Sequence, residues 1–466
     1  MYIQAPDSAV VYYTTDGSHP TAYSTRYDAP FALGRKMTVR AMARRAGCRS
    51  SEVVDRANWF ALDGATWRIV STVEPAVMLT SAMDGHGYSG HYTFGDEVRC
   101  DTLTYVPVGV DSHAFRNATA LRSVSLEGHS LRSVGDSLFH GCTALNAVIW
   151  DVDIPVKDNL FDGKSYHNLL LYLPDTAHLV NPLIDAKRVA VIKEGRSEAL
   201  ALDGEKSFYC PRPFVAGRVT CQRNFTQSTG VGVSAGWETI VLPFDVQYVE
   251  HVGKGAIAPF GVEAANHFWL SEFGWDAFSP ATEMRANVPY IIAMPNNSAY
   301  GEHTLKGKVT FSAEQATIHA TVGDMEVVGD DFALVPTYVE VEAADTVYAL
   351  NLYKRFGSYA AGSVFVPGVY AVPPFSAYMV SVGGQGAPLY RIASPDAESE
   401  GVGLSFAVTA RGGVVYIVTP DDRRVTVCDM AGRRVCTIDC KCGVNEVTSL
   451  DEGLYIIETT KVYVER

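Results

Sequence analysis

VDSHAFRNATALRSVSLEG (110–128) and VGDSLFHGCTALNAVIWDV (134–152) align without a gap at an offset of 24 residues. Val110/Val134, Phe115/Phe139, Thr119/Thr143, Ala120/Ala144, Leu121/Leu145 and Val124/Val148 coincide. A period in this range belongs to a solenoid. Each unit exposes an apolar face that only a neighbouring unit can cover, so equivalent positions must repeat. On that reading the phenylalanines pack under a turn, Leu121 and Leu145 begin an inner row, and Val124 and Val148 lie on a short strand. NLFDGKSYHNLLLYLP (159–174) is a degenerate third unit. The strand face of such an array is its natural binding surface, while an array this short also suits a spacer. Both readings stay open.

The rest of the chain is built around this array. At 466 residues it is too long for one core and suggests two to four domains. Hydrophobic residues are 47% and charged residues 19%, which excludes a disordered chain. No apolar run of 18 residues occurs, so no membrane-spanning helix is expected. Lys+Arg is 38 against Asp+Glu 52, a net charge of −14, and no basic cluster stands out along the sequence. Nucleic acid is therefore not an expected partner.

Residues 1–62 read as a β module: Val10–Tyr13 is a strand run, Asp16-Gly17 suits a tight hairpin turn, and Met37, Val39 and Ala41 alternate with polar neighbours. Residues 63–107 form a β lead-in or cap, and the repeats occupy 108–185. Residues 186–395 carry strand runs such as RVTCQRNF (218–225), WETIVLPFDV (237–246) and FSAYMVSV (375–382), which suggest an antiparallel sandwich. Residues 396–403 are a linker by composition. Residues 404–466 are a compact β unit with a hairpin turn at Met430-Ala431-Gly432-Arg433. The expected fold class is mainly β and multi-domain: small β-sandwich modules, a short solenoid and an Ig-like C-terminal sandwich.

Candidate chemistry is sparse. Asp16 is read as a turn former. His86 and His91 lie in GHGYSGH without a third ligand at a definite spacing, so solvated loop histidines fit better than a metal site. GVSAG (232–236) matches the nucleophile-elbow pattern around Ser234, but WETIVLPF follows where a helix is required. GVGVSAG (230–236) fails as a dinucleotide loop for the same reason. HExxH is absent. Of nine cysteines, Cys436, Cys440 and Cys442 cluster as C-x3-C-x-C, a poor tetrahedral spacing with no histidine nearby. A bridge from Cys440 or Cys442 to Cys428 or Cys436, or free thiols on a hairpin, are the alternatives. No catalytic, metal or cofactor-binding residue is expected. Trp150, Trp269 and Trp275 are candidate ligand contacts, with burial in a core as the competing reading.

YTTDGSHPT (13–21), Tyr27, TVRAMA (38–43) and Ser50-Ser51 resemble the chitobiase/β-hexosaminidase C-terminal domain, which implies a small accessory β-sandwich rather than a catalytic barrel. The family's first strand is missing in this reading. With the unsuitable leader MYIQAPDSAVVYYTTDG, this points to a fragment whose start lies upstream. F-x-x-C/A-x-x-L at the period above resembles the BspA-like leucine-rich repeats of bacterial surface proteins, and the resemblance places Cys142 in the core. SFYCPRPFVAGRVTCQRNF, GWETIVLPFDV, ANVPYIIAMPNN and PPFSAYM resemble a poorly characterised domain that follows such repeats in Bacteroidetes surface proteins. VCDMAGRRV, GVNEVTSLDEGLYII and the terminal KVYVER resemble the type A sorting domain of the type IX secretion system. That resemblance implies export, with the secretion machinery as partner of 404–466.

Together these imply a non-catalytic secreted or outer-membrane cell-surface protein. It would mediate adhesion or ligand binding, with a host protein, matrix protein or glycan as the unknown partner. The alternative is an ancillary, non-catalytic portion of a carbohydrate-active enzyme whose catalytic domain lies upstream.

Overall fold

In a computed structural model, the repeating positions become two parallel sheets that share one core. The structure describes all residues except 7, 34–36, 63, 72, 83–86, 101, 129, 163–165, 176–188, 231–232, 275–276, 297–304, 324, 330, 383–388, 393–406, 412–413, 420–421, 441–442, 459 and 465–466. The linker 396–403, His86, Trp275 and Cys442 lie outside the described residues. Among the described residues every regular element is a strand. The chain divides into two compact units, Met1–Glu194 and Gly195–Arg466. The fold is mainly β and multi-domain, as the strand runs require.

In the first unit, Val10–Thr14, Thr25–Arg26, Thr38–Arg44 and Val54–Ala57 form an antiparallel sheet. Asp16-Gly17 is not a tight hairpin turn. Val10–Thr14 pairs with Thr25–Arg26 across a longer loop, and Gly17, at φ +80°, donates its N–H to the Thr38 carbonyl. Asp16 instead accepts from Ser18 N (2.9 Å) and Ser18 Oγ (2.6 Å), bonds that hold its carboxyl below the usual range.

The solenoid alternates between its two sheets. One contains Ala76–Thr80, Leu103–Val110 and Ser133–Val134 in parallel, extended antiparallel by Ala65–Ser71 and Trp59–Leu62. The other contains Ser89–Phe94, Ala120–Leu126, Ala147–Trp150, Leu169–Tyr172 and Val189–Ile192, all parallel. Val110 lies beside Val134, and Val124 beside Val148, as the offset of 24 demands. The backbone repeats too: His113 and Ser137, then Asn117 and Gly141, all have positive φ. The core phenylalanines form a ladder. Phe115 stacks on Phe139 at 5.7 Å between centroids, and Phe139 on Phe161 at 5.2 Å. Tyr88 and Tyr92 close one end and Tyr166 the other.

The parallel sheet runs past 108–185 at both ends, taking in Ser89–Phe94 and Val189–Ile192. The 24-residue offset hides the first of these. A hairpin, Val98–Cys100 against Leu103–Tyr105, lengthens that coil, so His91 aligns with Ser123 at a separation of 32.

In the second unit, Phe214–Phe225 and Gly307–Ile318 form a long antiparallel pair. The sandwich is not purely antiparallel: Arg196–Asp203 runs parallel to Phe214–Phe225, because the connection 204–213 returns the chain to the same end. A second sheet contains Glu238–Ile240, Tyr290–Ala293, His267–Gly274 and Ala258–Pro259. A third contains Phe332–Thr337, Tyr348–Leu350, Val364–Pro367 and Ser376–Ser381. Strands within 407–464 form two further sheets around Val415, Ile417, Val425, Val427, Ile457 and Val464. Their Met430–Arg433 turn has Gly432 at φ +77°, and Asp429 accepts from Ala431 N and Arg433 N.

Candidate functional site

The groups singled out for chemistry are mostly engaged by the fold. Ser234 Oγ donates to the Ile392 carbonyl, and Gly236 leads into the strand Glu238–Ile240 rather than a helix. Cys142 is fully buried, its Sγ donates to the Phe115 carbonyl at 3.0 Å, and burial pushes its thiol up to about 12. It sits where Ala118 sits one coil earlier, both without exposed surface. Cys428, Cys436 and Cys440 are free thiols, which leaves no bridge among these three. Trp150 is fully buried with Nε1 donating to the Ile154 carbonyl at 2.8 Å, so it is core and no ligand contact.

Among the described residues the outward strand face of the solenoid is most open at its first strand. Val148, Trp150, Leu169 and Leu171 point into the core, so their alternates face the other way. Those alternates, Ala147, Ile149, Leu170, Tyr172, Ala190 and Ile192, are buried as well. Ser89, His91 and Thr93 remain exposed. His91 Nδ1 lies 2.9 Å from Ser123 Oγ, and burial together with the Arg122 charge lowers its pKa. The imidazole beside the Ser89 and Thr93 hydroxyls makes this strand a hydrogen-bonding surface that suits an uncharged polar ligand.

A second surface lies in the other unit. Phe260 is 38% exposed and stacks on His267 at 5.2 Å, with Trp269 at 4.9 Å on its flank. His267 and Trp269 are two residues apart on one strand and therefore share a face. Trp269 is half-buried against the core, while Phe260 and Val262 stay at the surface. Ala258–Pro259 pairs parallel with His267–Phe268 and sets Phe260 over that face. Sequence reasoning found Trp269 but missed Phe260 and His267, because only the parallel pairing brings them together.

Deeper in this unit, Arg223 is buried with Nη1 donating to the carbonyls of Thr239 (3.0 Å) and Phe375 (2.7 Å). Its Nη2 lies 3.6 Å from Glu238 Oε2, and Glu238 Oε1 has no hydrogen-bond partner among the described residues. Burial raises the Glu238 pKa and Arg223 opposes the rise. The arginine pins strands of different sheets, a structural use of charge.

Residues 3–55 are similar to the chitobiase/β-hexosaminidase C-terminal domain. The match covers the first module only, well under half of the chain's length. No curated protein matches the chain. A leucine-rich repeat protein from Bacteroides capillosus is 15% identical over 30% of this chain and 99% of its own, with a TM-score of 0.21. A leucine-rich cell surface protein from Faecalibacterium prausnitzii is 16% identical over 35% of this chain and 42% of its own, with a TM-score of 0.17. At these values neither likeness transfers a function. No helix among the described residues is long and apolar enough to cross a membrane, which says nothing of a β-barrel.

Proposed function

We propose that this chain is a non-catalytic exported protein, secreted or held at the outer-membrane surface, that binds a glycan or a host or matrix protein. The observation that carries the reading is the contrast between its groups. Ser234 and Cys142 are tied into the fold, while the Phe260–His267–Trp269 cluster and the Ser89–His91–Thr93 strand meet solvent. Aromatic faces beside hydrogen-bonding groups favour recognition by contact rather than by reaction. Residues 404–466 serve as the type IX sorting domain, a role that rests on the order of the VCDMAGRRV, GVNEVTSLDEGLYII and KVYVER motifs.

The test is the full chain on an array of glycans and matrix proteins, beside Phe260→Ala and His91→Ala. Expected is a positive ligand whose signal falls in at least one variant. A blank array, or binding indifferent to both variants, would defeat the binding role. Removing 404–466 from the full chain should abolish export in a bacterium that carries the secretion system, and unaltered export would remove the sorting role.

A second reading is favoured by the match over 3–55. The chain would then be the ancillary portion of a carbohydrate-active enzyme. An upstream coding sequence for a barrel with paired carboxylates would support it, and further β modules would not.

A further inference from the structure

The whole-chain charge conceals a basic module. Residues 1–62 carry eight Lys/Arg against five Asp/Glu, a net +3, in a chain whose total is −14. Asp28 pairs with Arg26 at 3.0 Å, Asp16 stays ionised in its own turn under the Ser18 hydrogen bonds, Asp55 lies across from Arg40 in the sheet, and Glu52 follows the loop at its base.

Three arginines fall on one loop. The strand Thr38–Arg44 ends in RRAGCRS (44–50), and this loop is closed at its base. Ser51 N donates to the Ala43 carbonyl at 2.9 Å, and Ala43 N donates to Ser51 Oγ at 2.8 Å. A second turn inside it, Cys48 N to the Arg45 carbonyl at 3.1 Å with Gly47 at φ +77°, folds the tip back on itself. Arg44, Arg45 and Arg49 are therefore confined to a short span, and all three are exposed. No carboxylate among the described residues pairs with any of them. Like charges gathered without counterions raise the folding free energy slightly and create a positive potential that attracts anions.

We propose that the 44–50 loop is a docking site for a sulfated polysaccharide. The guanidinium fork matches the oxygens of a sulfate ester bidentately, and a polymer presents such esters at intervals to several arginines at once. The other polyanions fit less well. The loop has no aromatic side chain on which a base could stack. It has no large apolar side chain to enter a bilayer. The acidic remainder of the chain repels a polyanion, which confines the attraction to this module. The inference deepens the binding role proposed above and rests on the loop meeting ligands outside the cell. It is separable from that role, because the His91 and Phe260 surfaces suit uncharged ligands.

The test titrates the full chain with dextran sulfate and with uncharged dextran, beside an Arg44→Ala/Arg45→Ala/Arg49→Ala variant. A control of equal charge change, Arg196→Ala/Arg218→Ala/Arg391→Ala, removes exposed arginines of the second unit. Circular dichroism checks that both variants fold. Expected is binding to dextran sulfate alone, weakened at least tenfold by the loop variant and less than threefold by the control. Raising salt from 50 to 200 mM should weaken it by about 10–40-fold, the loss expected for about three neutralised charges. No binding to dextran sulfate, or equal binding by the loop variant, overturns the proposal while leaving the uncharged-ligand surfaces standing. Equal affinity for single-stranded DNA or for phosphatidylserine vesicles also overturns it, since it would show a general polyanion surface.

Discussion

Phe139→Ala tests the physical basis of the solenoid. The ring has no exposed surface and sits between Phe115 at 5.7 Å and Phe161 at 5.2 Å. Truncating a buried phenylalanine costs about 3–5 kcal/mol through lost burial and the cavity left behind. Both ring contacts go with it, so a value near 4 kcal/mol is expected, within the range set by aromatic pairing. In a solenoid each coil is covered only by its neighbours, so the loss falls on the coils either side. Hydrogen exchange on the full chain reads this strand by strand. Amides of 120–126, 147–150 and 169–172 should lose about 10³-fold in protection, the fold-change that corresponds to 4 kcal/mol. Amides of 214–225, in the other unit, should keep theirs. Phe139→Leu keeps most of the volume and should cost about 1–2 kcal/mol. A loss below about 1 kcal/mol for Phe139→Ala, or one shared equally by 214–225, would refute the ladder as the source of cohesion.

Arg68 donates to both oxygens of Asp111, at 3.0 and 2.7 Å, with both side chains largely buried. Arg68→Ala should cost about 2–3 kcal/mol in urea unfolding, and Arg68→Lys should recover less than half, because an ammonium cannot form the fork. Arg223→Ala should cost about 3–5 kcal/mol by stranding the Glu238 carboxylate, and Glu238→Gln should cost less. Burial raises the Glu238 pKa above its unfolded value. Its contribution to folding is thus fully present below the unfolded pKa and is lost as pH rises through the folded pKa. The stability advantage of wild type over Glu238→Gln should accordingly shrink from mildly acidic to neutral pH, and an advantage that grows would contradict the assignment. Thiol labelling of the native chain should find Cys48 reactive and leave Cys142 and Cys221 untouched until unfolding, since burial pushes both buried thiols up to about 12.

The array was legible in the sequence because a solenoid writes its contacts at a fixed spacing. Phe115 must recur as Phe139, and Val124 as Val148, because each touches its own equivalent. Local turn chemistry was legible too, as at Gly432, where backbone conformation depends on one residue and its neighbours. The rest lies in pairings between residues distant in sequence. The hairpin at 98–105 broke the period, so Ser89–Phe94 could not be recognised as a coil strand. A strand pattern does not say which face another surface will cover, so the burial of Leu170 and Ile192 on the outward side had no signal in the alternation. Phe260 and His267 are unremarkable until a parallel pairing stacks them. The amino-acid order by itself settled that the chain is mainly β and that 110–128 and 134–152 are successive units of a repeat, because periodicity and turn residues act locally. Tertiary structure alone decided which side chains stay wet, because solvent exposure is fixed by the sum of long-range contacts.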